Sequence, residues 1–213
     1  AYEIAPSVWS SDVCSSDLGF TVAPQYDWGI SYLSFNFNNK TSLPLLEQTY
    51  IRKSLQRLIN QDNLIKNSWS GEARKGCDVL PTAPNAPDNP CPPTVAYDLQ
   101  AAKQELAQHG WQQQGADMVC TESAKCGEGI ATNTKLAFTI IATKNSPAIR
   151  ELEQLRDEFA QSGITLTINQ VPDAVAVMSD CARTARQCEW DLGLAATPDR
   201  KSTRLNSSHL ELS

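Results

Sequence analysis

In the first half of the chain, the spacing of apolar residues predicts one strand followed by helices. Over residues 29–37, successive side chains would alternate between two faces, and the segment is rich in aromatic residues, as is typical of a strand. From Leu45 onward, apolar residues recur at spacings of three, four and one, which indicates a helical run that the polar residues 60–63 divide in two. A shorter helix is predicted over residues 99–108, with Asp98 as its N-cap.

The second half alternates strands with helices. Compact or alternating apolar runs predict strands over residues 136–142, 164–168 and 190–195. A helix is expected directly after Ser146, a typical N-cap residue, with Pro147 at its first position, and another over residues 172–181. This order of elements is typical of an α/β or α+β domain.

Two polar stretches, residues 76–93 and 115–134, are predicted to be irregular loops. Six cysteines outside residues 1–18 fall into near-neighbour pairs: Cys77 with Cys91, Cys120 with Cys126, and Cys181 with Cys188. Disulfides within these pairs would close three short loops and would favour an extracytoplasmic location. Free thiols are one alternative. A zinc site is another, although the chain has no Cys-x-x-Cys spacing.

Charge and motifs argue against several functions. The net charge is −6 and lysines and arginines do not cluster, so no nucleic-acid partner is expected. No nucleophile elbow or phosphate-binding loop is present in the sequence, and His109 is expected to be a capping or surface residue. The carboxylates Glu151, Glu153, Asp157 and Glu158 are expected on a solvated helix face. We therefore expect no enzyme activity, no cofactor and no metal site.

Amide and aromatic residues are the remaining candidates for a binding site. Small-molecule sites combine apolar walls with a few placed polar groups. Asn36, Asn38 and Trp69 fit that description and are predicted to contact a ligand. For the two asparagines, a polar end of the strand is an equal alternative. For Trp69, a place over the core is the alternative.

The two ends of the chain share one nucleotide sequence. A DNA string that encodes residues 10–18 also encodes residues 199–206 on its opposite strand in a shifted frame. Unrelated segments of a natural protein rarely share such a string, and this one resembles a sequencing-library adapter. We therefore expect a natural domain over residues 19–198. Residues 1–18 would be adapter-like or of uncertain origin, and residues 199–213 an adapter-like artefact.

Several segments, taken in order, resemble one protein family. They are Tyr-Leu-Ser-Phe-Asn at 32–36, the helical run 51–65, Tyr-Asp at 97–98 leading to Gly-Trp at 110–111, Gly-Ile at 163–164 and Trp-Asp-Leu at 190–192. This series resembles the family 5 extracellular solute-binding proteins, the peptide- and nickel-type binding components of ABC importers. The sequence departs from the family pattern at Ser54, where a small Ala is usual, at Asn60, where Asp is usual, and at Gln61, where a base is usual.

The resemblance implies a fold and a function. The fold would be a partial periplasmic-binding-protein-like lobe, with a mixed sheet and flanking helices. The function would be capture of a peptide or similar small solute outside the membrane, for delivery to an ABC permease. The protein would be a monomer, periplasmic or lipoprotein-anchored, and one lobe alone would bind weakly. A secreted disulfide-containing enzyme such as a hydrolase, and an extracytoplasmic sensory or interaction module, are the alternatives.

Independent genomic DNA is expected to lack in-frame codons for residues 10–18 and 199–206, because both would derive from one adapter string. Sequencing across both junctions measures this, with the codons for residues 29–65 as the control that the natural gene has been found. Genomic DNA that carries both segments in frame would show that the adapter interpretation is wrong.

Overall fold

The structure is a computed structural model that describes residues 2–3, 29–71, 73–76, 96–144, 146 and 148–198. It divides into two compact units. The smaller unit comprises residues 1–32, 65–91 and 196–213, and the larger unit comprises residues 33–64 and 92–195.

The described part of the smaller unit is built on short antiparallel strands. Strand β1 (Tyr2–Glu3) pairs with β2 (Gly29–Phe35) and with β3 (Arg74–Lys75). Tyr2 lies opposite Ser31 on one side and opposite Lys75 on the other. Two residues of the segment 1–18 are therefore in a strand. Residues 10–18 and 199–213 lie outside the described residues, and the adapter origin of these segments stays a prediction.

The larger unit contains a mixed sheet. Strand β6 (Ala137–Thr143) runs parallel to β7 (Thr165–Val171) and to β8 (Leu192–Pro198). Strand β2 lies on the other side of β8, giving the order β2-β8-β6-β7. Ser34 Oγ donates to the carbonyl of Gly193 (3.1 Å) and the Asn36 N–H to that of Asp191 (2.8 Å), so β2 runs antiparallel to β8. The predicted α/β class with a mixed sheet and flanking helices is confirmed.

Seven helices and one hairpin complete the described elements. The helices are α1 (Leu43–Glu47), α2 (Thr49–Arg57), α3 (Gln61–Ser68), α4 (Leu99–Gln108), α5 (Ser123–Cys126), α6 (Ile149–Ala160) and α7 (Ala174–Thr184). The hairpin consists of β4 (Trp111–Gln114) and β5 (Asp117–Cys120).

Strand β6 is buried on both faces, as is usual for a strand in a parallel arrangement. Ile140 packs into the main core with residues of α2, α4 and α6. The next residue, Ile141, points to the opposite face and packs with Ala174 of α7 and with Trp190. Helices therefore cover both sides of this strand, and the smaller cluster around Ile141 lies next to the end of β2.

Local signals predicted some elements closely. Helix α4 has the predicted bounds, and Asp98 caps it by accepting a hydrogen bond from the Ala101 N–H (2.8 Å). The helical run that begins at Leu43 is divided at Gln48 and again before α3. Only the second of these breaks was predicted.

Two local predictions are wrong. Residues 115–134 are not all irregular, because β5 and α5 form there. Helix α6 begins at Ile149, with Ala148 as its N-cap residue and no side-chain cap. Ser146 Oγ accepts a hydrogen bond from the Ala148 N–H (3.2 Å), so the predicted capping contact forms, but the helix begins two residues later than predicted. Pro147 lies outside the described residues.

The prediction that α6 carries only solvated carboxylates is also wrong. Glu158 is buried; its Oε2 accepts from the Asn60 N–H (3.0 Å) and its Oε1 from Gln154 Nε2 (2.9 Å). Burial raises the pKa of Glu158, and these two hydrogen bonds partly offset the effect. Glu151, on the same helix, is 7% exposed, and burial raises its pKa to about 7. Glu153 and Asp157 are exposed, as predicted.

Replacement of Glu151 by Gln is expected to stabilise the protein at alkaline pH. The raised pKa means that the folded state holds a proton that the unfolded state releases above about 4.5. Glu151 therefore lowers stability progressively as pH rises from about 4.5 to about 7. At pH near 8, Glu151→Gln should add roughly 3 kcal/mol to the free energy of unfolding, and much less at pH near 5.

Urea denaturation of the wild type and the variant at both pH values measures this difference. Glu153→Gln is the matched control, because it removes an exposed carboxylate from the same helix. The same pH profile in both variants would contradict a role for burial at Glu151.

Candidate functional site

A polar cluster lies in the larger unit where β2 ends and β8 begins. We call it the Asn36 cluster; it consists of Asn36, Asn38, Asn39, Trp190 and Asp191. Asn36 is its centre and is 4% exposed. Its Nδ2 donates to the carbonyls of Trp190 (2.7 Å) and Cys188 (3.1 Å), and its Oδ1 accepts from the Asn38 N–H (3.1 Å). One amide thus joins the turn after β2 to the segment before β8.

Asp191 ties the same segment to β6. Its carboxylate is 7% exposed; Oδ2 accepts from the Thr139 N–H (2.6 Å) and Oδ1 from Asn39 Nδ2 (2.7 Å). Its own N–H donates to the carbonyl of Thr139 (2.8 Å). Hydrogen bonds to a charged group are stronger than neutral ones, so this carboxylate is a firm connection between three chain segments.

Two disulfides are present, as predicted for two of the three pairs. Cys181 and Cys188 join the last part of α7 to the segment before β8, with a Cα–Cα distance of 5.2 Å. Cys120 and Cys126 join β5 to α5, with a Cα–Cα distance of 6.2 Å. Cys77 and Cys91 lie outside the described residues, so their pairing stays a prediction.

The Cys181–Cys188 disulfide belongs to the surroundings of the Asn36 cluster. Cys181 Sγ lies 3.5 Å from Asn36 Oδ1 and 3.9 Å from Asn38 Nδ2. The carbonyl of Cys188 is one of the two acceptors of the Asn36 amide. The disulfide and the amide therefore fix the same short segment from two directions.

The three predicted ligand contacts lie in different environments. Asn36 is buried and uses both ends of its amide on protein partners, so contact with a solute would require replacing those partners. Asn38 is exposed. It follows Phe37, which is 47% exposed and has the Arg52 guanidinium 5.8 Å from its ring centre. Trp69 belongs to the smaller unit and is half-buried.

The structure adds residues that sequence reasoning did not select. Asp191 and Asn39 have the strongest contacts in the cluster. The signal available for Asp191 was an acidic residue between Trp190 and Leu192, two residues with buried side chains. An acid in such a position must have buried partners. No comparable signal exists for Asn39.

His109 is the C-cap residue of α4, which confirms its predicted capping role. Its ring stacks on that of Tyr50 at 3.8 Å, and its Nδ1 lies 2.9 Å from the carbonyl of Glu105. The Tyr50 hydroxyl accepts from Trp111 Nε1 (2.8 Å) and donates to the carbonyl of Cys126 (2.5 Å). Burial raises the pKa of Tyr50, against a smaller opposing effect of the Trp111 hydrogen bond. These contacts connect α2, α4 and the hairpin.

Within the described ranges, no group of three His, Cys, Asp or Glu residues could hold a metal ion. None of the helices in that same part of the chain is long and apolar enough to cross a membrane. At the end of β2, the Asn36 cluster therefore lies beside two exposed groups, the Asn38 amide and the Phe37 ring. Such groups suit reversible binding of a polar solute.

The fold is that of a lobe of a periplasmic binding protein. The family model for bacterial extracellular solute-binding proteins, family 5 (Middle), matches residues 4–203. The chain belongs to this family, which consists of extracytoplasmic solute-binding proteins rather than enzymes. The match covers the predicted natural domain and parts of both end segments. No curated protein sequence matches the chain.

Solved structures share the fold. An oligopeptide-binding protein from Thermus thermophilus, complexed with a pentapeptide, is 22% identical with a TM-score of 0.62 over 79% of this chain and 28% of its own. AppA, the oligopeptide-binding protein from Bacillus subtilis, in complex with a nonapeptide, is 17% identical with a TM-score of 0.59 over 80% of this chain and 31% of its own.

A nickel ABC transporter structure from Bacillus halodurans is 19% identical, with a TM-score of 0.63 over 90% of this chain and 36% of its own. The chain thus spans about a third of the length of the solved structures that it matches. At these identities the likeness establishes the fold.

Replacement of Asn36 by Ala is expected to destabilise the protein by about 3 kcal/mol, because the Cys188 carbonyl and the Asn38 N–H lose their partner and the Trp190 carbonyl keeps only the longer hydrogen bond from Asn39 Nδ2 (3.4 Å). Asn38→Ala, two residues along and exposed, is the matched control and should cost less than about 0.5 kcal/mol. Urea denaturation of both variants measures the free energy of unfolding. Equal losses would contradict the central role of the Asn36 amide.

Proposed function

We propose that the chain forms part of one lobe of the binding component of an ABC importer, which captures a peptide or similar small solute outside the membrane. The family match over residues 4–203 carries this proposal. The mixed sheet with helices on both faces of β6 supports it, as do relatives solved with peptides bound.

Within this function the Asn36 cluster has a positioning role and a binding role. Asn36 has the positioning role, because its amide holds the segment that leads into β8 and both ends of that amide bond to the protein rather than to a solute. Asn38 has the binding role, because its side chain is exposed and follows the exposed Phe37 ring along the chain. Asn38 would donate to a peptide carbonyl while Phe37 covers an apolar side chain. Trp69 is the second proposed contact.

The mechanism is passive. A binding protein of this type closes two lobes around its ligand and presents the closed form to a membrane permease. Closure is driven by the ligand's better contacts with the closed state, so no bond is made or broken and no cofactor is needed. In this proposal the protein is a monomer in the periplasm or on a lipid anchor, and its partners are the solute and the permease, not a nucleic acid.

One lobe supplies only one wall of the binding cleft. A ligand held from one side keeps much of its surface in water, and it gains little to offset the loss of its translational and rotational freedom. The 213-residue chain alone should therefore bind weakly.

The test uses the complete genomic reading frame that encodes residues 19–198, whatever its length. Thermal unfolding is followed with pools of short peptides, with free amino acids and with nickel–histidine complexes. A peptide at about a hundred times its Kd should raise Tm by roughly 5 °C. Asn38→Ala should weaken peptide binding about tenfold, since it removes one hydrogen bond to the ligand, and should leave the unliganded Tm unchanged.

The ligand arms separate the possible outcomes. A shift with nickel–histidine alone would contradict the peptide and retain the binding function. No shift with any of the three ligand classes would contradict the proposed function.

A further inference from the structure

The two disulfides of the described chain differ in how far their cysteine residues are buried. Cys120 and Cys126 are both fully buried. Cys181 is 1% exposed, whereas Cys188 is half-buried and its Sγ lies 3.5 Å from the carbonyl of Arg186 at the exposed surface. A thiol in solution can therefore approach one sulfur of the second disulfide and neither sulfur of the first.

The loop closed by Cys181 and Cys188 is exposed and holds an unfavourable backbone conformation. All its residues from 182 to 187 are exposed. Ala185 and Gln187 both have φ of +54°, a left-handed conformation that residues with a Cβ rarely adopt. Ala185 is the C-cap residue of α7, and its N–H donates to the carbonyl of Cys181 (3.0 Å), so its conformation belongs to the helix end. Gln187 lies beyond the helix end, and opening the disulfide would let this residue relax.

The buried sulfur has partners for the reduced state. Asn38 Nδ2, 3.9 Å away, can donate to a Cys181 thiolate. Asn36 Oδ1, 3.5 Å away, can accept from a Cys181 thiol, because an amide oxygen that already accepts from the Asn38 N–H has a second lone pair. After the disulfide opens, Cys181 therefore has a hydrogen-bond partner both as a thiolate and as a thiol.

We propose that the Cys181–Cys188 disulfide is a thiol-exchange site, attacked at Cys188 by a small monothiol. The attacking thiolate forms a mixed disulfide with Cys188 Sγ. The electron pair of the broken S–S bond passes to Cys181 Sγ, which then takes a proton from water. A second monothiol thiolate attacks the mixed disulfide and releases the oxidised monothiol pair, and Cys188 also ends as a thiol. The protein disulfide gains two electrons and the two monothiols lose two.

The Cys120–Cys126 disulfide is the internal control. It joins neighbouring segments as the other disulfide does, but both sulfurs are buried. The Cys120 N–H and the Cys126 N–H also donate to the carbonyls of Thr134 (2.8 Å) and Glu122 (3.1 Å), which keep both cysteines in place. This disulfide should open only when the surrounding core opens.

The experiment treats the folded chain with increasing glutathione, traps free thiols with iodoacetamide and maps the peptides by mass spectrometry. Cys188 should carry glutathione and Cys181 should be alkylated at a glutathione concentration at least about tenfold below that which opens Cys120–Cys126. Glutathione found on Cys181, simultaneous opening of the two disulfides, or opening only on global unfolding would each overturn the proposal.

A pair of loop variants tests the contribution of the backbone conformation. Gln187→Gly and Arg186→Gly both add a flexible residue to the loop, but only position 187 has a left-handed backbone. Gln187→Gly should therefore need about fivefold more glutathione than Arg186→Gly for half-reduction. An equal requirement in the two variants would overturn the argument that the closed loop favours opening.

Discussion

Two carbonyls at the entry to β8, those of Cys188 and Trp190, are the constraint on which the larger unit depends. The strand begins at Leu192, so the carbonyls of Cys188 and Trp190 precede its ladder and need other donors. The Asn36 amide supplies both hydrogen bonds, and the Asp191 carboxylate supplies the matching acceptors for Thr139 and Asn39. The turn after β2, the start of β8 and strand β6 are fixed together by these two side chains.

Around the Asn36 cluster, α7 and β2 both pack closely against Gly193 of β8. A Cβ on Gly193 would lie 2.3 Å from Met178 Sδ and 3.1 Å from Ser34 Oγ, so any larger residue at this position would displace the Met178 side chain of α7. The approach of α7 in turn brings Cys181 within disulfide distance of Cys188. The disulfide and the close contact at Gly193 therefore both lie where α7 packs beside β8.

Sequence reasoning succeeded where the signal was local. The bounds of α4 were predicted because the N-cap Asp98 and the apolar spacing lie within one short segment. The hairpin was missed because β4 and β5 have four residues each, and the glutamines of β4 are exposed and show no alternation. The burial of Glu158 was missed because its partner, Asn60, is 98 residues away. At the candidate site, the asparagines could be selected from sequence, but their division into a buried and an exposed member depends on the tertiary fold.

Two of the three departures from the family pattern, at positions 54 and 60, keep the physical role of the position. Asn60 stands where Asp is usual, and its Oδ1 still accepts from the Asn63 N–H (3.1 Å), as an N-cap does. Its N–H also donates to the buried carboxylate of Glu158, and a charged residue at position 60 would place a second negative charge beside a group that is already costly to ionise. The neutral amide retains the cap and avoids that repulsion.

Ser54 is fully buried at a position where a small residue is required, so its size fits the packing. The described chain gives its hydroxyl no hydrogen-bond partner. A change at one position is tolerated here because side-chain size and capping geometry, rather than residue identity, are what the packed lobe requires.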